Sequence, residues 1–261
     1  MSKYQRVAAL GSSFAAGPGI DPVADAAAMR STKNYAHLLA EGLGAELFDL
    51  TVSGATTANV IDTPQQIGEG LEYPPQIDGI PANTDLVTIT VGGNDLRFAP
   101  ALLHVAWSRV DPKSPIVAML EPMVPDGIPR PSGSVVEEAT RGLVQVIEGV
   151  RAAAHSARVL LVDYLRVLDE ASSDATPFSD HEVGQFLLLQ HAIDQVFRDA
   201  AARTGAEIVL ASSLSEGHSL GSSEPWVQPF HPNLLMTAGS FHPNETGMRA
   251  IATELERVLA S

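Results

Sequence analysis

Apolar residues along this chain follow two rhythms. A continuous apolar run of strand length opens at Val7-Ala-Ala-Leu10, and mostly apolar or β-branched stretches of the same length return at Ala45–Val52, Asp85–Val91, Ala157–Asp163 and Glu207–Ala211. Such runs are how strands buried on both faces read. Between them, apolar residues recur at helical spacing over Asn34–Leu43 (Tyr35, Leu38, Leu39, Leu43), Val135–His155, Glu182–Arg203 and Glu245–Leu259. Gly44 and Gly205 stand where the first and third of these helices should stop, since glycine accepts the left-handed conformation that closes a helix. Strands alternating with helices predict an α/β chain with a doubly wound parallel sheet, because parallel neighbours need crossover connections.

Two stretches break the rhythm. Residues 62–84 are rich in proline, glycine and acids, and Ile67, Leu71 and Ile77 are expected to tie a short helix and turn to the body. Residues 96–134 carry prolines at 100, 112, 115, 122, 125, 129 and 131, which predicts an irregular insertion with a partial helix around Ala101–Val110. Long irregular segments in compact domains are commonly binding loops or lids, or else mobile, and the sequence does not choose between these. No internal repeat, low-complexity tract or linker divides the chain, so residues 1–261 are expected to form one domain.

Composition narrows the classes of partner. Hydrophobic residues at 45% with 18% charged are ordinary for a globular protein. Thirty-one acidic against 16 basic residues give a formal charge of −15, which repels phosphate backbones and argues against nucleic acid. The chain has no cysteine, which excludes disulfides, thiolate zinc sites and a cysteine nucleophile. That fits a reducing compartment, so a cytoplasmic location is expected, with a longer precursor carrying a removed leader left open. Nowhere do 18 apolar residues follow one another, so no membrane span is expected. Among His37, His104, His155, His181, His191 and His218 no pair has convincing metal spacing, and neither a metal nor an organic cofactor is expected.

The candidate chemistry lies where strands stop. Gly11-Ser12-Ser13-Phe14, Ser53-Gly54-Ala55 and Gly92-Gly93-Asn94-Asp95 follow the first three runs. In a parallel sheet all strand C-termini point to one edge, so Ser13, Gly54 and Asn94 should converge there. Breaking an ester needs an activated hydroxyl, a base and donors aimed at the forming oxyanion. Taken singly, each residue has a plainer role: Ser12 and Ser13 as helix caps, Gly54 as a tight turn, Asn94 as a cap, His242 as a loop residue.

Together, Gly11-Ser12-Ser13-Phe14, Gly54, Gly92-Gly93-Asn94-Asp95 and Phe241-His242-Pro243-Asn244 resemble, in order and spacing, the four blocks of the SGNH hydrolases, the GDSL esterases and lipases. The resemblance frames almost the whole chain. It implies a three-layer α/β/α sandwich with a five-stranded parallel sheet, the flavodoxin-like arrangement, and ester hydrolysis through an acyl-enzyme. On it, Ser13 resembles the nucleophile and His242 the general base. The Ser13 N–H, the Gly54 N–H and the Asn94 amide resemble the oxyanion donors. A second copy, Phe230-His231-Pro232-Asn233, is followed by Leu-Leu-Met rather than a helix start, so His242, which leads into the last helix, is the preferred base.

Two positions depart from the family pattern. Ser12 stands where an aspartate is usual, and Gly239 stands where the orienting carboxylate would lie three residues before the histidine. Three readings stay open: a Ser-His dyad with a backbone carbonyl near Gly239 taking the Nδ1 proton, an acid from elsewhere (Glu216, Glu224 or Asp180), or a catalytically weak or silent carbohydrate- or ligand-binding domain. The leading expectation is a serine esterase acting on short- to medium-chain carboxylic esters, either acetylated carbohydrates or small lipidic esters. Trp226, Phe230, Leu234 and Leu235 are candidates for an acyl pocket, or else cover the sheet edge as core. A nucleotide binder of the same strand pattern is disfavoured, since the opening loop has neither a P-loop lysine nor GxGxxG.

Overall fold

The central strands are buried on both faces, and that decides the architecture. In the computed structural model, which describes residues 3–68 and 70–260, the strands are β1 (Arg6–Gly11), β2 (Val23–Asp25), β3 (Arg30–Ser31), β4 (Glu46–Asp49), β5 (Gln65–Ile67), β6 (Leu71–Tyr73), β7 (Leu86–Thr90), β8 (Arg158–Val162) and β9 (Glu207–Val209). The helices are α1 (Ser13–Ala16), α2 (Tyr35–Leu43), α3 (Thr57–Ile61), α4 (Phe98–Val110), α5 (Pro115–Leu120), α6 (Gly133–Ala153), α7 (Asp180–Thr204), α8 (Ala211–Leu214) and α9 (Glu245–Ala260).

Five strands form one parallel sheet in the order β4-β1-β7-β8-β9. Side chains alternate between its faces. Ala8, Leu10, Val87, Ile89, Val159 and Leu161 join the core under α4, α6 and α7. Val7, Ala9, Leu86, Leu160 and Val162 join the core under α2 and α9. The result is the expected three-layer α/β/α sandwich around a five-stranded parallel sheet. The edge strands β4 and β9 keep exposed acids at Glu46 and Glu207, as strands open on one side should.

Strand order reverses at β1, whose two neighbours are reached by connections on opposite sides of the sheet. The crevice beyond the strand ends at such a switch point is where open α/β sheets bind ligands. Ser13 follows β1 and Asn94 follows β7, its neighbour, with Val7 opposite Leu86 through Gly11 opposite Thr90.

Two local expectations need correction. Within 96–134, α4 starts at Phe98, α5 starts at Pro115 and a 3-10 turn spans Glu121–Met123, so the segment is more helical than its prolines predict. Pro100 sits in the first turn of α4 and Pro115 is the first residue of α5, where a missing N–H costs nothing. Within 62–84, the helical part is only a 3-10 turn at Gln76–Gly79, and Ile67 faces Leu71 across the antiparallel β5–β6 hairpin. Ile77 does pack on the core, whereas Leu71 is exposed.

Gly11 is the close-packed point of this arrangement. A Cβ there would overlap the Thr90 carbonyl oxygen, and both main-chain groups of Gly11 are bound by the buried Gln76 carboxamide, its N–H giving to Oε1 at 2.8 Å and its carbonyl accepting from Nε2 at 3.0 Å. Gly11→Ala should therefore cost about 1–3 kcal/mol of stability. Thermal or denaturant unfolding of the variant checks this; an unchanged midpoint would refute it.

Candidate active site

Ser12 follows β1 as the N-cap of α1, which begins at Ser13, whose N–H as the first helical donor has no partner in the helix. The Ser13 Oγ lies 2.8 Å from His242 Nε2 although the residues are 229 positions apart. The other ring nitrogen, Nδ1, lies 2.8 Å from the Ser240 carbonyl oxygen. A carbonyl can only accept, so the proton sits on Nδ1 and Nε2 presents its lone pair to the serine hydroxyl, which donates. Ser13 is 6% exposed and His242 4%, with the Phe14 ring 5.1 Å from the imidazole. Burial without an anionic partner pushes the His242 pKa down to about 4, the Ser240 hydrogen bond opposing the shift only in part.

Gly54 follows β4 with φ of 86°, a left-handed conformation suited to glycine. Neither its N–H nor that of Ser13 donates to an acceptor among the described residues. Asn94 Nδ2 gives one hydrogen to the Ala55 carbonyl at 2.9 Å, which ties the loop after β7 to the loop after β4 and leaves the second amide hydrogen available. The neighbouring Asp95 accepts from the Thr57 N–H and hydroxyl at the start of α3. Burial raises its pKa, and those hydrogen bonds counter the rise. Its carboxylate thus anchors α3 beside the same loops.

The structure therefore brings Ser13 and His242 into contact and sets Gly54 and Asn94 on adjoining loops of one sheet edge. His231 is elsewhere: its N–H donates to Ser240 Oγ, so this second histidine supports the turn that carries the first. The group found at His242 Nδ1 is a carbonyl one residue beyond Gly239, while the Gly239 carbonyl itself accepts from the His242 N–H at 3.1 Å. No carboxylate among the described residues, Glu216, Glu224 and Asp180 included, bonds the ring. Trp226 stacks on His218 at 3.9 Å and packs with the α2/α9 core, whereas Phe230 stacks on Phe241 at 5.7 Å with the opposite core. The two do not share one wall, and Leu234 and Leu235 stand exposed.

Other residues at this edge escaped sequence reasoning. Ser12 Oγ meets the Tyr164 hydroxyl at 3.0 Å, and that hydroxyl accepts from the Gly93 N–H at 3.1 Å. Through Tyr164 the loops after β1 and β7 are joined where the usual family aspartate is missing. Burial pushes the Tyr164 pKa up to about 12, so the phenol keeps its proton. Its place just after the fourth apolar run was the available signal. Gln76, which clamps Gly11, lies in the proline-rich stretch and carried none.

Over residues 9–250 the sequence matches the GDSL-like lipase/acylhydrolase family. Lipase 2 of Streptomyces coelicolor is 31% identical over 268 residues, which span 96% of this chain and 84% of that protein. The solved extracellular lipase of Streptomyces rimosus superposes with a TM-score of 0.74 at 23% identity, covering 97% of this chain and 99% of its own. Phospholipase A1 of Streptomyces albidoflavus gives a TM-score of 0.74 at 22% identity, with the same coverage of 97% and 99%. No helix among the described residues is long and apolar enough to cross a membrane.

His242 should titrate near 4 rather than at the usual 6.5. Because the folded pKa lies below the unfolded one, only the unfolded chain takes up this proton between those values, and stability should fall as pH drops from 6.5 toward 4. NMR titration of the His242 ring protons measures the first; a midpoint at 6 or above would contradict it.

Proposed function

Because this chain belongs to the GDSL-like lipase/acylhydrolase family, within the SGNH hydrolases, and is thereby a carboxylic ester hydrolase, we propose that Ser13 and His242 form its catalytic dyad. The observation that carries the proposal is the 2.8 Å contact between Ser13 Oγ and His242 Nε2, with the Nδ1 proton held by a carbonyl. Ser13 Oγ attacks the ester carbonyl carbon while its proton passes to Nε2. The oxyanion is met by the Ser13 N–H, the Gly54 N–H and the free Asn94 amide hydrogen. Collapse breaks the bond to the alkoxy oxygen, which takes the Nε2 proton and leaves as the alcohol. Water then gives a proton to Nε2, attacks the acyl carbon and releases the carboxylic acid, with Ser13 reprotonated.

The imidazolium formed in each half-reaction faces the dipole of the Ser240 carbonyl instead of a full negative charge. A dipole fixes the tautomer as well as a carboxylate does but stabilises the cation less. The low pKa of His242 agrees with this, and it keeps the base neutral and competent well into acid.

The substrate class is a short- to medium-chain carboxylic ester, of the small lipidic kind rather than acetylated sugar. The lipase relatives support the lipidic reading, as do the exposed Leu234, Leu235 and Met236 that lead into the histidine segment. The extracellular description of the rimosus relative favours action outside the cell over the cytoplasmic location suggested by the lack of cysteine.

Hydrolysis of p-nitrophenyl esters of graded acyl length, alongside acetylated xylose, tests the assignment. Ser13→Ala and His242→Ala should abolish turnover with folding intact, while His231→Ala retains it. Asn94→Ala should lose about 100- to 1,000-fold in kcat, the usual cost of one oxyanion donor. The acid limb of kcat/KM should lie near 4. Turnover that survives Ser13→Ala would refute the nucleophile.

A further inference from the structure

Gly239, where the orienting acid is missing, lies against the side chain of Gln228. A Cβ on Gly239 would overlap Gln228 Oε1 and come within 3.0 Å of Cδ and 3.2 Å of Nε2. On the other side, a Cβ on Gly19 would be 2.8 Å from the same Oε1 and 2.9 Å from the Gly239 Cα. The carboxamide is thus packed beside two glycines, one just after the nucleophile helix and one just before the histidine. An aspartate at 239 would require the Gln228 carboxamide to move from where it lies.

Gln228 also bonds the histidine segment through every polar group but Oε1. Its N–H donates to the His242 carbonyl at 2.8 Å, and its carbonyl accepts from the Phe241 N–H at 3.0 Å. Its Nε2 donates to the Pro243 carbonyl at 3.1 Å and to the Pro18 carbonyl at 2.9 Å. Between these anchors Phe241 has φ of 64°, a left-handed conformation that a bulky non-glycine residue holds only when its surroundings impose it. That conformation lies between Ser240 and His242, and it is part of the turn that brings the Ser240 carbonyl back onto Nδ1.

We propose that Gln228 is the positioning residue that stands in for the absent acid. Its carboxamide straps the segment 240–243 to Pro18, beyond the nucleophile helix, and so keeps the Ser240 carbonyl on His242 Nδ1 and Nε2 on Ser13. The strap passes between Gly19 and Gly239, where a Cβ on either would meet its Oε1. The inference rests on the proposed Ser13–His242 dyad and adds to it the device that orients the ring.

Gln228→Met keeps length and bulk but removes both Nε2 donors. Gly239→Ala keeps the donors but displaces the carboxamide. Both should lower kcat about 10- to 100-fold, the range seen when partners that orient metal-bound imidazoles are removed. KM should change less than twofold. The downfield Nδ1–H resonance of His242 in the proton NMR spectrum should be lost or broadened by faster exchange. Gln228→Ala, which leaves the main-chain bonds in place, serves if the methionine variant does not fold.

A purely structural role for Gln228 would lower the melting temperature without moving kcat or the resonance, and that result would overturn the proposal. So would a fall in kcat with the resonance retained, since the strap would then not act through Nδ1. If the wild type shows no Ser13-dependent turnover, the dyad reading fails by itself, and the resonance in wild type and variants still decides whether Gln228 orients the ring.

Discussion

A carbonyl oxygen accepts hydrogen bonds and never donates them, so the contact between Ser240 and His242 Nδ1 fixes where the ring proton sits. Everything else at the site follows from that choice of tautomer. The lone pair of Nε2 must face Ser13, the serine hydroxyl must donate, and the resting pair is uncharged. An uncharged imidazole tolerates burial that an imidazolium would not, which is why the ring can lie almost wholly inside the protein against Phe14. Replacing a carboxylate by a carbonyl thus exchanges electrostatic support of an imidazolium for ease of burial of the neutral ring.

The remainder of the fold holds three loops and a distant turn in register with that ring. The parallel sheet delivers the loops after β4, β1 and β7 to one edge, and polar side chains then lock them to one another. Gln76 clamps Gly11, the Ser12–Tyr164–Gly93 chain joins the loops after β1 and β7, and Asn94 reaches across to Ala55. These bonds are largely buried, where a satisfied polar network is rigid and a broken one is costly. Apart from Asn94, the side chains that lock these loops do not themselves reach toward a substrate.

The layers of the fold were legible because the signal is periodic. Runs such as Leu160-Leu161-Val162 read as buried strands by their short length and their place between helical patterns, and Gly44 and Gly205 mark helix ends by their conformational freedom. Ser13, Gly54, Asn94 and His242 are ordinary residue types at strand ends and helix starts, and they were legible as candidates only together, as four blocks in a fixed order along the chain. What stayed hidden has no residue-type signature. A main-chain carbonyl such as that of Ser240 is present at every position, and only the left-handed turn at Phe241 makes this one useful. The helices within 96–134 were obscured because proline is hostile to helix interiors and harmless in first turns, and composition does not separate the two. The β5–β6 hairpin is three residues a side, too short for alternation to register.

The uncharged resting site has a further consequence for traffic through it. A neutral ester enters without electrostatic hindrance, but its hydrolysis makes a carboxylate at the pH where the base is competent. That product is created inside a protein of net charge −15. Repulsion of like charge acts over roughly a Debye length, about 8–10 Å at ordinary ionic strength, which is enough to favour departure over rebinding. Hydrolysis turns a neutral ligand into an anion that the chain's net negative charge disfavours, so product release is favoured without any moving part.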